Sequence, residues 1–147
     1  MLSNPEVDRE RLRALRRDDF IALVPVTTRW ADNDSYGHLN NAVYSELFDT
    51  ALDTWVRSQV GDVMHVLGVS TVAFLRETAY PASLEVGIAI RDVGRSSSQL
   101  LLALFPQGED EPVAVCAWTD IFIDDRTRRP ISVPDTIRNA PRFRSAR

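Results

Sequence analysis

The stretch Arg29–Tyr44, RWADNDSYGHLNNAVY, decides how the rest of the chain is read. It packs two aspartates, a glycine, a histidine and several asparagines between two apolar segments. Ile21 to Thr28 before it alternates in strand fashion. Val43 to Val56 after it carries Val43, Leu47, Ala51 and Trp55 at helical spacing, with Glu46, Asp49 and Asp53 between them. A strand therefore enters a polar elbow and leaves as a helix. The first backbone N–H groups of a helix lack internal partners and carry the positive end of its dipole. Acidic side chains lie beside that end here.

Outward from the elbow, Leu84–Arg91 alternates, with Leu84, Val86, Ile88 and Ile90 on one face. Gly68–Glu77 is rich in Val, Thr and Phe. Ser97–Phe105 and Val113–Ile123 are apolar on both faces, which predicts central strands, the last two joined as a hairpin. Pro81, Gly94-Arg95-Ser96 and Pro106–Pro112 mark connections. Ser58–Leu67 has room for one more helical turn, and His65 within it reads as a packed residue rather than a ligand. A short surface helix is expected over Asn4–Arg17, with Asn4 as its cap, a thin stripe of Val7, Leu12 and Leu15, and solvated arginines. A turn-rich, arginine-rich tail follows Asp124, with a short helix after Pro134. The order predicts one α+β domain over residues 1–147: a long helix wrapped by an antiparallel sheet of about five strands, with residues 1–19 as the surface helix and 134–147 as the tail.

Composition narrows the function. The chain has 147 residues, of which 44% are hydrophobic, so it can bury a core. A net charge of −4 argues against a nucleic-acid surface, and all 17 basic residues are arginine, which removes lysine Schiff-base chemistry. The single cysteine, Cys116, sits in an expected strand between apolar neighbours and reads as core. No apolar run is long enough to span a membrane and no signal-peptide core is present, so a cytoplasmic protein is expected.

Three readings compete for the elbow. Asp32, Asp34, Gly37 and His38 match positions one, three, six and seven of a calcium loop, but Val43 stands where a bidentate glutamate is required, so no metal is assigned. A structural reading makes the aspartates and asparagines turn formers and caps. A catalytic reading lets Asp34 attack an activated acyl carbon or draw a proton from water, while the amide N–H of Asn41 holds the oxyanion. No G-x-S-x-G elbow is present.

WADNDSYGHLNNAVY with LFDTA, then VSTVAFLRETAYPASLEV and IFIDDRTRRPISVPDTIR, resembles the hotdog-fold acyl-CoA thioesterases of the hydroxybenzoyl-CoA thioesterase type, over roughly residues 21–138. The resemblance implies a hotdog fold and hydrolysis of an acyl-CoA or acyl-carrier-protein thioester, with no cofactor beyond the CoA of the substrate. It puts Asp34 at the family's catalytic carboxylate and Asn41 at the amide that polarises the carbonyl. Gly37, His38, Asn40 and Tyr44 match the remaining signature. Asp49 falls at an acidic helix position, and Asp32 is expected to brace the turn. Tyr44, Phe48, Val63, Met64 and Phe74 are candidate pocket walls. Arg95, Ser96 and Ser97, with Arg91 behind them, are candidate phosphate contacts. A homodimer or homotetramer is expected, its interface covering Trp118 and the strands apolar on both faces. A hotdog dehydratase or hydratase and a non-catalytic acyl-binding module are the alternatives.

Overall fold

The computed structural model describes residues 8–144. In order, the chain forms α1 (Arg9–Arg13), β1 (Ala22–Thr27), α2 (Asn41–Val60), β2 (Met64–Phe74), β3 (Ser83–Val93), β4 (Ser97–Pro106), β5 (Ala114–Ile123) and α3 (Asp135–Arg138). The strands pair antiparallel in the order β1-β3-β4-β5-β2. One long helix against one antiparallel sheet is the hotdog arrangement expected from the sequence. No helix among the described residues is long and apolar enough to cross a membrane.

The helix holds because its apolar face meets the sheet. Tyr44, Leu47, Phe48, Ala51, Leu52, Trp55 and Val56 are buried. They share one core with Val86, Ile88, Ile90, Leu102, Leu104, Cys116, Trp118 and Phe122. Burying each large side chain is worth about 1.5–3 kcal/mol, far more than helix propensity supplies at one position. Gly61, at φ +77°, turns the chain out of the helix, and its N–H caps the carbonyl of Arg57 at 2.9 Å. The helix thus runs past the expected Val56 to Val60. The extra turn expected as far as Leu67 is instead strand from Met64, because Met64–Leu67 pairs with Asp120–Ile123 of β5.

The sheet's outer face is covered by the chain itself. A second cluster joins Leu15, Phe20, Leu75, Ala89, Leu101, Ala103, Phe105 and Val115, with Leu12 and Phe143 packed against it. Three expectations are corrected. The N-terminal helix is shorter than read: Asp8 caps it by accepting from Arg11 N at 3.1 Å, while Asn4 and Val7 lie outside the described residues. Its arginines are not all solvated, since Arg17 pairs with Glu85 and lies 5.5 Å from the Phe105 ring centre. Trp118 and the central strands are already covered within one chain, so their burial does not require a partner.

Phe20 stacks on bare backbone at Gly87, where an added Cβ would lie 2.7 Å from the ring. Gly87→Ala is therefore expected to lift the N-terminal segment from the sheet at a cost of about 1–3 kcal/mol. Limited trypsin digestion would show it as faster cleavage at Arg13, Arg16 and Arg17. An unchanged cleavage rate would mean that Phe20 does not anchor the segment.

Candidate functional site

The elbow is a loop whose polar side chains close on its own backbone. Arg29 N, Nε and Nη2 all donate to the Asp32 carboxylate, at 2.6, 3.1 and 2.8 Å. Asp32 is only 2% exposed, and its hydrogen bonds from Arg29 hold its carboxyl below the usual range in spite of burial. The carbonyl of Asp32 in turn accepts from Asn40 N at 2.8 Å. Asp32 therefore braces the turn, as expected. Asn33 clamps the segment after β2: its side chain accepts from Tyr80 N at 2.8 Å and donates to Tyr80 O at 3.2 Å. Leu39 N donates to Thr78 O at 2.8 Å.

Asn40 caps α2. Its side chain accepts from Ala42 N at 2.9 Å, and its carbonyl accepts from Val43 N at 2.9 Å. Asn41 is the first helical residue, and its N–H has no partner among the described residues. This is the free donor that the sequence placed there, at the positive end of a 20-residue helix. A pocket of about 240 Å³ opens beside it, lined by His38, Leu39, Asn41, Tyr44, Phe74, Leu75, Arg76 and Glu77. Tyr44 and Phe74 meet edge to face in its wall, ring centres 4.9 Å apart.

Asp34 sits at the turn. Its Oδ1 accepts from Tyr36 N at 2.9 Å and His38 N at 3.1 Å, while Oδ2 carries no hydrogen bond among the described residues. Gly37 at φ +80° lets the loop close, with its N–H on Asp34 O at 3.2 Å. Asp34 does not line the pocket, but its charge reaches it: burial and then Asp34 raise the Tyr44 hydroxyl above its ordinary value. His38 Nε2 lies 3.1 Å from Glu77 Oε2.

The other expected residues stand apart from this pocket. Phe48 is wholly buried in the core between helix and sheet. Asp49 lies eight residues along α2 from Asn41, about 12 Å along its axis. It lines a separate groove of about 450 Å³ with Ser45, Glu46, His65, Val66, Leu67 and Trp118. Arg95, Ser96 and Ser97 occupy the β3–β4 turn. Thr28 donates to Ala82 O at 3.2 Å, which ties the elbow to the start of β3. Eleven residues of β3, about 35 Å of strand, separate that start from the Arg95 turn. Within one protomer the two lie at opposite ends of the sheet. Val63 and Met64 are at the far end as well, in a cleft with Asp53, Arg57 and Asp62.

That far end holds a charged cluster the sequence reading did not assemble. His65 Nδ1 is 3.1 and 3.0 Å from the two oxygens of Asp120, and Nε2 is 3.0 Å from Asp53 Oδ1. A neutral ring could donate to only one carboxylate, so the arrangement favours imidazolium. Burial pulls the ring's pKa down, but the bonds and charges of Asp120 and then Asp53 outweigh it and raise it overall. Asp49 is shifted upward, first by burial and then by its acidic neighbours Asp53 and Asp120, against the opposing charge of His65. The clue in the sequence was Asp120, a carboxylate in register with Cys116, Trp118 and Phe122 on the helix-facing side of β5. Cys116 itself is core, its thiol pushed up to about 12 by burial, so it is inert.

Comparison with known proteins agrees with this architecture. The family model of the thioesterase-like superfamily matches residues 28–140. A Pseudomonas aeruginosa protein of solved structure is 33% identical, with a TM-score of 0.78, covering 85% of this chain and 92% of its own. A Thermus thermophilus thioesterase, crystallised with coenzyme A and zinc, is 26% identical, with a TM-score of 0.70, over 82% of this chain and 91% of its own. A 1,4-dihydroxy-2-naphthoyl-CoA thioesterase from Synechocystis shares the fold at 15% identity and a TM-score of 0.66, over 79% and 91%. No curated protein matches the chain. The chain belongs to the thioesterase-like superfamily.

The His65 cluster gives a pH test. Because its folded pKa is raised, the histidine's contribution is complete below its unfolded value, about 6.5, and is lost as pH rises through the higher folded value. The Asp53 carboxyl, held low by Arg57 and His65 although burial opposes this, contributes above about 3.8 and loses its share as pH falls through its depressed folded value. His65→Ala leaves Asp120 buried without a partner and is expected to cost about 3 kcal/mol near pH 6. Urea unfolding should show the gap between wild type and variant narrowing at pH 9. A gap independent of pH would contradict the charged assignment.

Proposed function

We propose that this member of the thioesterase-like superfamily hydrolyses an acyl-CoA thioester to a free acid and CoA at the elbow pocket. The unpartnered Asn41 N–H is the observation that carries the reading. It suits the carbonyl oxygen of a thioester, which gains negative charge as the carbon turns tetrahedral. Asp34, with Oδ1 held by two amides and Oδ2 free, supplies the nucleophile or the base that activates water. Thioester hydrolysis needs water as co-substrate and no further cofactor. Family membership and the CoA bound to the Thermus relative support the substrate class. A cytoplasmic location, where a free thiol such as Cys116 stays reduced, fits this reading.

A homodimer completes the substrate path. The elbow pocket lies at the end of β2, an edge strand with Leu67 and Val69 exposed. Antiparallel pairing of this edge with its copy lays the far end of one sheet beside the elbow end of the other. The Arg95-Ser96-Ser97 turn of one protomer can then serve the pocket of the other, which a lone protomer does not allow. Arg95 offers its guanidinium, free among the described residues, to a CoA phosphate. A non-catalytic acyl-binding module has one observation in its favour, the commitment of Asp34 Oδ1 to its own turn.

Asp34→Asn is expected to keep the fold and substrate KM while lowering kcat about 100-fold, ~2.7 kcal/mol of barrier. Free-thiol release across a panel of acyl-CoAs measures it. A variant within threefold of wild type would exclude Asp34 from the chemistry, and a wild type that binds acyl-CoA without releasing thiol would favour the binding module.

A further inference from the structure

We propose that Glu77 is a positioning residue for this reaction: it holds His38 by Nε2, so that Nδ1 of the protonated ring delivers the proton that the departing CoA sulfur requires. The inference rests on the thioester hydrolysis proposed above. Both residues line the elbow pocket with Asn41, and Nε2 lies 3.1 Å from Glu77 Oε2. Their side chains are 42% and 77% exposed, so simple attraction between them is worth little. What distinguishes the pair is that both backbones are pinned. Leu39 N bonds Thr78 O at 2.8 Å, joining the residue after His38 to the residue after Glu77. His38 is held on its other side by Asp34, through His38 N to Asp34 Oδ1 at 3.1 Å and Asp34 N to His38 O at 2.7 Å. The Asn33–Tyr80 clamp fixes the rest of the segment. Nδ1 has no partner among the described residues.

The step balances in either mode. As the C–S bond breaks, its electron pair stays on sulfur, and sulfur takes the Nδ1 proton of His38. If Asp34 acts as base, the C–O bond forms to water, and the proton Asp34 removed returns to the imidazole through solvent. If Asp34 is the nucleophile, an anhydride forms first, and the water that cleaves it supplies the proton. In both cases water and thioester become acid and thiol. Glu77 accepts the Nε2–H throughout and directs the other nitrogen toward the substrate.

The test varies the leaving group. Wild type, Glu77→Gln and His38→Gln are assayed on benzoyl-CoA and octanoyl-CoA, and on the S-(4-nitrophenyl) thioesters of the same acids, whose thiolate leaves without a proton. Glu77→Gln is expected to lower kcat on the CoA thioesters about tenfold and His38→Gln about 100-fold, with KM within twofold. On the nitrophenyl thioesters both losses shrink to about twofold or less. The double variant should be no worse than His38→Gln, since Glu77 acts through the ring. Equal losses of Glu77→Gln on both leaving groups, or no loss on the CoA thioesters, overturn the assignment while leaving thioester hydrolysis intact. A wild type inactive on every thioester overturns the hydrolase reading and this inference with it.

Discussion

A helix that begins on a sheet must do something with its first amides, because no carbonyl lies one turn earlier to receive them. In this protein that constraint organises the elbow. Asn40 takes the amides of Ala42 and Val43, and the Asp32 carbonyl takes Asn40's own. Asp32 holds its position only because Arg29 supplies three donors to a carboxylate almost wholly removed from water. One amide, that of Asn41, is left over. The polar density of the elbow is thus mostly structural, and the unpartnered Asn41 amide stands at the edge of the pocket.

The two ends of the sheet use charge differently. At the elbow, ionic groups are arranged around a backbone that needs partners, and the pocket stays open. At the far end, Asp53 and Asp120 pair with the His65 ring between α2, β2 and β5. Burying such a group is costly, and only the close placement of two carboxylates offsets it. The cluster therefore ties the C-terminal half of the helix to the edge strand, and its charge reaches Asp49 in the neighbouring groove. Asp49 and Asp34 are both acidic, but Asp49 lines the groove beside His65, whereas Asp34 accepts from the amides of its own turn.

The outer face of the sheet shows a third solution. Leu101, Ala103 and Phe105 alternate with residues of the main core, so β4 is apolar on both sides. The N-terminal segment and Phe143 cover that second side, with Phe20 seated where Gly87 offers no side chain. At one edge of the sheet, β2 leaves Leu67 and Val69 exposed.

Local patterning by itself determined most of the elements and the backbone geometry of the elbow. A period of two marked β3, a period of 3.6 marked α2, and runs apolar on both faces marked the central strands. The cap at Asn40, the glycine turn and the free Asn41 amide were all legible, because each depends on residues within a few positions of one another. Tertiary structure alone decided what depends on pairing across the sheet. His65 meets Asp120 only because β2 lies against β5, and His38 meets Glu77 only because the segment after β2 is laced to the elbow. The same pairing set Arg95 at the opposite end of a strand from Asp34. Sequence spacing carries no trace of such distances, since strand register and not chain separation fixes which side chains become neighbours.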